Sequence, residues 1–219
     1  MKQAFDRTDG TSILHGMIRA IADHKDYLSE VDGKIGDGDH GINMNKGFSL
    51  FEARIQGKDV SFPDGLIELG TILFTEIGGS MGPIYGTLFC AMGEAAKEDK
   101  TIGAVEFAKM ITAGLGGLYE ILDARIGDKT LIDTLAPAEE AFTKAVRSGA
   151  DFARALGEMK EAAKRGMEAT QAMEAKYGRS SRLGKRSVGV PDAGAVSCCL
   201  LLTAVADGIL TLLDGKGGT

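Results

Sequence analysis

The stretch Val31-Asp-Gly-Lys-Ile-Gly-Asp-Gly-Asp-His-Gly-Ile-Asn-Met-Asn45 interrupts a chain whose pattern is otherwise helical, and it holds three carboxylates, one imidazole and four glycines. Glycine lets a backbone approach a ligand closely and adopts positive φ in tight turns. Neighbouring carboxylates repel one another unless a cation joins them, and Mg²⁺ often shares its oxygen ligands between protein carboxylates and substrate phosphates. A folded glycine loop can turn both Asp37 and Asp39 inward. The stretch therefore predicts a loop between two helices that holds a metal ion and a phosphate.

Three alternatives to a metal–phosphate loop are a solvated acidic turn, a calcium loop and a Walker-type nucleotide loop. Asp and Gly are ordinary turn residues, so the acidic turn is the simplest alternative. An EF-hand is excluded, because Gly41 stands where the third ligand belongs and Phe48 where the bidentate Glu would be. A Walker phosphate loop is absent: the nearest approach, residues 178–187, has one residue too many between its glycines and Arg186 where Ser or Thr is needed.

The composition describes a globular protein that does not bind nucleic acid. The 219 residues are 44% hydrophobic and 26% charged, which is ordinary for a chain with a buried core. A net charge of −6 argues against general nucleic-acid binding, which needs a basic face. The first seven residues lack an apolar secretory segment, and the three cysteines lie in apolar runs. We expect buried thiols, a reducing compartment and a cytoplasmic location.

The hydrophobic periodicity is helical nearly everywhere, and no segment alternates convincingly as a strand. The pattern predicts one domain, residues 1–219, with eight helices: 11–30, 43–56, from Pro63 to Gly78-Gly79, from Pro83 onward, 105–122, one after Thr130 that Pro137 kinks or restarts, 151–178, and 194–213. The last is apolar enough to raise the question of a membrane span. Because Ser197, Thr203, Asp207 and Thr211 interrupt it, a buried core helix is predicted and no membrane contact is expected.

Four loops are rich in Gly, Asp, Lys and Arg, and they occupy alternate positions along the chain. Helices joined by short loops are mostly antiparallel neighbours, so alternate loops fall at the same end of a bundle. The loops at 31–43, 78–82, 123–130 and 178–193 follow helices one, three, five and seven. Each alone also fits a plain helix–helix turn or a solvated loop. Together they predict a single composite site at one end.

Four motifs, taken in chain order, resemble the L subunit of dihydroxyacetone kinase. They are Ile35-Gly-Asp-Gly-Asp-His-Gly-Ile-Asn-Met44, Gly78-Gly-Ser-Met-Gly-Pro-Ile-Tyr-Gly-Thr87, Gly127-Asp-Lys-Thr130 and Gly178-Arg-Ser-Ser-Arg-Leu-Gly-Lys-Arg-Ser-Val-Gly189. The resemblance spans nearly the whole chain. It implies an all-α fold, an eight-helix up-and-down antiparallel barrel, with a site for ADP or ATP and two Mg²⁺ ions at one end.

The resemblance also implies which residues hold these ligands. Asp32, Asp37 and Asp39 would hold the magnesium pair, and no side chain of this chain is assigned a catalytic role. The implied nucleotide-binding residues are His40, Gly41, Ile42, Asn43, Ser80, Met81, Thr130, Leu131, Arg179, Asp192 and Gly194. The chain departs from the family pattern in two places. Residues 120–125 replace Arg-Gly-Lys-Ala, and residues 189–194 vary His-Gln-Asp-Pro-Gly while keeping Asp192 and Gly194.

In that family the keto sugar is bound on a separate K subunit or domain. The resemblance therefore implies that this chain is the phosphoryl-donor half of a kinase, acting on a keto triose or tetrose held by a K-type subunit. Further implied partners are a phosphotransferase-system phosphohistidine protein, if ADP stays bound and is rephosphorylated, and a second copy of this chain in a homodimer. The alternative is a nucleotide-loaded regulatory module that acts on a partner protein.

Overall fold

The computed structural model describes residues 2–215, and helices dominate that range. The α-helices found there are α1 (Thr11–Asp23), α2 (Lys25–Ile35), α3 (His40–Ile55), α4 (Phe62–Glu76), α5 (Met81–Glu94), α6 (Ala104–Ile121), α7 (Ile132–Arg147), α8 (Phe152–Ala169) and α9 (Ala193–Leu213). The prediction of an all-α fold is confirmed.

The helices form a closed ring around one hydrophobic core. From α3 to α9 each helix packs against the next in the chain, α9 packs against α1, and α1 packs against α3. Short connections make such neighbours antiparallel. The core is one contiguous cluster to which helices on every side contribute, among them Met17, Phe48, Leu69, Phe107 and Ile209. Helices α1 and α2 together occupy the predicted first helix, and each of the other seven helices corresponds to one predicted helix.

The predicted glycine loop is shorter than expected. Helix α2 runs to Ile35 and α3 begins at His40, so residues 31–35 and 40–43, predicted in the loop, are helical and only residues 36–39 form the turn. The reason is that one glycine lets two helices touch: a Cβ at Gly41 would lie 2.0 Å from the Lys25 carbonyl oxygen. At Gly38, φ is 77°, which is the left-handed conformation that the tight turn requires.

Further helix boundaries differ from the prediction. Helix α8 ends at Ala169 rather than near Gly178, and residues 170–192 follow as an irregular connection with two 3₁₀ segments, Thr170–Ala172 and Arg179–Ser187. Helix α5 begins at Met81 rather than at Pro83. Pro137 lies inside α7 without restarting it.

A small two-stranded sheet was not predicted. Strands β1 (Ala4–Asp6) and β2 (Thr101–Gly103) pair antiparallel, with Phe5 opposite Ile102. Strands of three residues are too short to show the alternation by which sequence patterns reveal a strand.

Helix α9 is the one helix within residues 2–215 that is long and apolar enough to cross a membrane, with a mean hydropathy of 2.1. It packs against α1, α7 and α8, and most of its length contributes buried side chains to the core. Its acidic residue, Asp207, faces outward and pairs with Lys160 at 2.5 Å. These contacts agree with the predicted core helix.

Helices α7 and α8 approach closely where Pro137 removes a backbone donor. Proline has no N–H, so the carbonyl of Asp133, four residues earlier, lacks its helical partner. Gly166 of α8 packs against this carbonyl, and a Cβ at that position would lie 2.1 Å from the Asp133 oxygen. The crossing therefore requires a residue without a side chain at position 166.

We expect Gly166→Ala to lower the free energy of unfolding by about 1–3 kcal/mol, because the added methyl group must push the two helices apart. Gly157→Ala is the matched control on the same helix, where the new Cβ meets no atom within 4 Å. That exchange should raise stability by up to about 1 kcal/mol through helix propensity. Urea unfolding measures both, and equal stability of the two variants would contradict the close crossing.

Candidate functional site

Asp32, Asp37 and Asp39, here called the acid triad, bring carboxylate oxygens within 4.8 Å of one another. Burial raises the pKa of Asp39, and the charges of Asp37 and Asp32 raise it further. Arg179 forms an ion pair with Asp37, which offsets part of this repulsion. Three converging oxygen donors are the ligand set that a hard divalent cation takes. The arrangement fits the predicted metal site.

The local backbone explains how the triad is assembled. Asp32 lies in the last turn of α2, whereas Asp37 and Asp39 belong to the 36–39 turn. Gly36 allows this turn to fold over Asp32, because a Cβ at position 36 would lie 2.3 Å from the Asp32 Oδ1 atom. The Gly36 N–H donates to the Asp32 carbonyl at 2.5 Å and fixes the same bend. A glycine thus brings one helix end and one turn into a common cluster.

His40, predicted to contact nucleotide, is hydrogen-bonded to a buried pair of hydroxyl groups. Its Nε2 lies 2.8 Å from Ser197 Oγ, which lies 2.6 Å from the Tyr85 hydroxyl oxygen. Tyr85 also donates to the Gly194 carbonyl at 3.2 Å. Burial lowers the pKa of His40 to about 4, against the opposing charge of Asp32. His40 is therefore neutral near pH 7 and serves as a hydrogen-bonding group that connects α3 with α5 and α9.

The Gly127–Thr130 turn is organised by a residue that the sequence did not reveal. The buried Asp133 carboxylate accepts from the Gly127 N–H at 2.5 Å and from the Thr130 N–H at 2.8 Å. These bonds fix Thr130 and Leu131, two predicted nucleotide-binding residues, at the start of α7. Leu131 in turn faces Gly194, where a Cβ would lie 3.7 Å from the Leu131 Cβ. The only sequence signal for Asp133 is its spacing of three from Thr130, as in a capping pair.

Asp192 combines a predicted nucleotide contact with a structural role. Its carboxylate caps α9 by accepting from the Ala195 N–H at 2.8 Å, and its own N–H donates to Thr170 Oγ1 at 3.0 Å. Burial raises the pKa of Asp192 to about 6, while the Ala195 bond and the charge of Lys129 act in the opposite direction. The carboxylate is thus held in a site that disfavours its charge.

Direct contacts join three of the four predicted loops at one end of the ring, here called the triad end. Arg179 links the 170–192 connection to the 36–39 turn, and Lys129 links that connection to the 122–131 connection. The fourth loop, 77–80, is linked through Tyr85 in the second turn of α5. Ser80 and Met81 begin that helix, and Ser80 makes no side-chain cap bond. Gly41, Ile42 and Asn43 lie in the first turn of α3, where Ile42 is 56% exposed.

A comparison with models of protein families assigns this chain to a family. Residues 34–207 match the model described as the DAK2 domain. The chain belongs to the DAK2-domain family. It is 32% identical over 202 residues to the PEP-dependent dihydroxyacetone kinase, ADP-binding subunit DhaL, of Escherichia coli, covering 90% of this chain and 95% of that one. Identity to the corresponding subunit of kinase 1 from Listeria innocua is 36% over 186 residues, covering 84% and 88%.

Solved structures support the fold of this DAK2-domain chain. The dihydroxyacetone kinase of C. freundii, solved in complex with AMP-PNP and Mg²⁺, superimposes with a TM-score of 0.72 at 20% identity. The match covers 94% of this chain but 35% of that kinase chain, so the kinase contains much sequence with no counterpart here. The predicted fold class and the resemblance to the L-subunit family are both confirmed.

The raised pKa of Asp192 predicts a pH dependence of stability. Between the ordinary pKa of 3.8 and about 6, the folded chain keeps a proton that the unfolded chain releases. Stability therefore falls as the pH rises through this window. Asp192→Asn keeps a capping side chain but cannot ionise. We expect the unfolding free energy of the unsubstituted chain, measured relative to this variant, to fall by up to roughly 3 kcal/mol between about pH 4 and 7.

Urea unfolding across the pH range, in metal-free buffer, measures this difference. Asp151→Asn makes the same exchange at the exposed cap of α8 and controls for the loss of a capping carboxylate. A constant difference between the unsubstituted chain and Asp192→Asn would show that Asp192 does not carry the raised pKa.

Proposed function

We propose that this chain is the nucleotide-binding, phosphoryl-donor subunit of a dihydroxyacetone-type kinase. The observation that carries the proposal is the acid triad, which adjoins the N-terminal end of α3. The hydrogen bonds from His40 to Ser197 and from Ser197 to Tyr85 connect this end to the N-terminal halves of α9 and α5. Cation ligands and helix N-termini in one place are suited to a nucleotide phosphate with its metal. The relatives named as ADP-binding subunits, and the related kinase solved with AMP-PNP and Mg²⁺, support this function.

In this proposal Asp32, Asp37 and Asp39 hold Mg²⁺, and we propose two ions as the number that the site holds. Bound Mg²⁺ would supply the positive charge that phosphoryl transfer requires at the transferred group. The protein contributes donors on the other side: the first turns of α3 and α9 carry N–H groups without helical partners. Arg179 stands beside the triad and is placed to reach a phosphate oxygen. The chain thus binds and orients the donor, and the nucleophile comes from elsewhere.

The nucleotide is proposed to lie among the four loops of the triad end. Its phosphates would meet the His40–Asn43 turn, Arg179 and the Asp192–Gly194 turn. Ser80, Met81, Thr130 and Leu131 would complete the surroundings. Neutral His40, fixed by Ser197, offers a hydrogen bond rather than a charge, so the positive charge near the phosphates comes from Arg179 and the metal.

The acceptor sugar is proposed to reach this site on a separate K-type subunit. Six exposed large apolar side chains belong to the loops of the triad end or to the helix turns that adjoin them: Ile42, Phe74, Ile121, Ile126, Tyr177 and Val188. Beside them Arg182, Lys185 and Arg186 are exposed and form no ion pair within residues 2–215. An apolar rim next to a basic patch is suited to a partner that presents apolar and acidic residues around its own substrate.

The relatives also bear on how the nucleotide is recharged. Those from Escherichia coli and Listeria innocua are named PEP-dependent, and one from Lactococcus lactis, 31% identical, is named PTS-dependent. We therefore propose that ADP stays bound and is rephosphorylated by a phosphohistidine protein, with free exchange of ATP as the alternative.

The single core supports treating residues 1–219 as one domain, and a homodimer in the cytoplasm is the proposed state.

Reconstitution tests this function. The purified chain, supplied with Mg·ATP or with ADP and a phosphohistidine donor, should not phosphorylate dihydroxyacetone or erythrulose, and adding a K-type subunit should start turnover. Asp37→Asn should lower the reconstituted rate at least about a hundredfold, because a charge beside the transferred group is lost. Asp26→Asn is the control, since this α2 carboxylate is 98% exposed and outside the triad.

Turnover by the isolated chain would show that the acceptor site is on this chain and that the proposal is wrong. Binding of Mg·ADP without turnover in any reconstituted mixture would favour the regulatory module instead.

A further inference from the structure

Lys129 is the one non-glycine residue with positive φ within residues 2–215, at 61°. Its side chain is fully buried, with 1% of the residue exposed. The ammonium donates to two backbone carbonyls, those of Thr170 at 2.7 Å and Val190 at 2.5 Å. A left-handed conformation costs free energy for a residue with a Cβ, and so does burial of an ammonium group. Both costs fall on one lysine, and its hydrogen bonds to the two carbonyls are the contacts that offset them.

The two acceptors stand at the two ends of one segment. Residues 171–189, here called the basic loop, leave the barrel after Thr170 and return at Val190. The ends are close: the Gly189 N–H donates to the Gln171 carbonyl at 2.8 Å, and the Asp192 N–H donates to Thr170 Oγ1 at 3.0 Å. The segment is longer than a typical Ω-loop but shares its form, in which the two ends meet at a neck. Lys129 comes from outside the segment and bonds to both sides of this neck.

The basic loop carries the cation that meets the acid triad. Arg179 opens its 3₁₀ segment and pairs with Asp37. The loop also lies on the Gly127–Thr130 turn, because the Lys176 N–H donates to the Asp128 carbonyl at 3.2 Å and the Lys176 ammonium pairs with the Asp128 carboxylate. That ion pair is largely exposed on the lysine side, at 62%. Exposed pairs contribute little, whereas charged hydrogen bonds that are buried hold their groups firmly.

We propose that Lys129 is a positioning residue that holds the neck of the basic loop closed and thereby keeps Arg179 over the acid triad. An ammonium is suited to this task, because its three donors can meet two carbonyls at once and it accepts nothing that would compete. The same residue precedes Thr130, so one side chain couples two loops of the triad end. The consequence for nucleotide affinity rests on the proposed function; the closure of the loop does not.

The first test uses the full chain without nucleotide. Trypsin can cut the basic loop after Lys176 and after Arg179, Arg182, Lys185 and Arg186. Cleavage at the last four sites, which every variant keeps, reports how often the loop opens. Lys129→Met should raise the rate of cleavage in this loop about tenfold or more, since two carbonyls lose a charged donor. Lys176→Met makes the same chemical change at an ion pair whose ammonium lies in solvent, and Asp128 keeps the hydrogen bond from the Arg125 N–H. This variant should alter the rate at the same four sites by less than about threefold. Equal rates for the two variants would overturn the proposal.

Strain at the positive φ is separated from the role of the ammonium by Lys129→Gly. Glycine adopts this conformation without penalty but has no donor, so the loop should open as it does in Lys129→Met. A closed loop in the glycine variant would overturn the proposal.

Circular dichroism checks the helical fold of each variant. If Lys129→Met does not fold, Lys129→Gln takes its place in both tests. The Gln amide keeps hydrogen-bond donors, so the rate of tryptic cleavage should lie between that of the unsubstituted chain and that of Lys129→Gly. A cleavage rate equal to that of the unsubstituted chain would overturn the proposal.

The second test asks whether Lys129 acts through Arg179. Affinity for Mg·ADP is measured in the unsubstituted chain, Lys129→Met, Arg179→Ala and the double variant. Lys129→Met should weaken binding about tenfold when Arg179 is present, but less than about threefold in the Arg179→Ala background. Effects that multiply independently would overturn the link to Arg179. If the unsubstituted chain binds no Mg·ADP, the proposed function fails, and the trypsin result still decides whether Lys129 closes the loop.

Discussion

The mutual repulsion of three carboxylates is the constraint around which one end of this barrel is built. Asp32, Asp37 and Asp39 hold oxygens within 4.8 Å of one another, and burial together with this crowding raises the pKa of Asp39. A chain that only needed a turn between two helices would gain stability by spacing these charges apart. The surrounding structure keeps them together: Gly36 makes room over Asp32, and Arg179 arrives from a connection remote in sequence. A bound cation would offset the repulsion, which supports the proposal that the acid triad holds metal.

Close backbone contacts are what allow four loops to meet there. Gly41 lets α3 touch the Lys25 carbonyl of α2, and Gly166 lets α8 touch the Asp133 carbonyl that Pro137 leaves free. A Cβ at Gly82 would likewise lie 2.2 Å from the Ile77 carbonyl oxygen. The glycines near the site thus do more than leave space for a ligand, because they also bring helix ends close enough for buried side chains to connect them. The same glycines therefore serve both the packing of the helices and the assembly of the proposed site.

The sequence was informative where the physical cause is local. Helical periodicity follows from side chains three and four residues apart, so the helices and their alternating loops could be predicted, as could the approach of Asp37 and Asp39 within one turn. Helix ends were less predictable, since α2 continues through Gly33 to Ile35 because it packs against α3. The role of Lys129 could not be found, because it comes from contacts remote in sequence. Lys129 has its acceptors at Thr170 and Val190, and no spacing rule connects these positions.

Calorimetric titration with ADP, with and without Mg²⁺, measures whether a cation and the nucleotide are held together at the acid triad. Without cations the triad would repel the negatively charged phosphates, so the affinity for ADP should depend on the metal. We expect strong binding in the presence of Mg²⁺ and little or none in excess chelator. Equal affinity under the two conditions would contradict it, because the carboxylates would then have no part in holding the nucleotide.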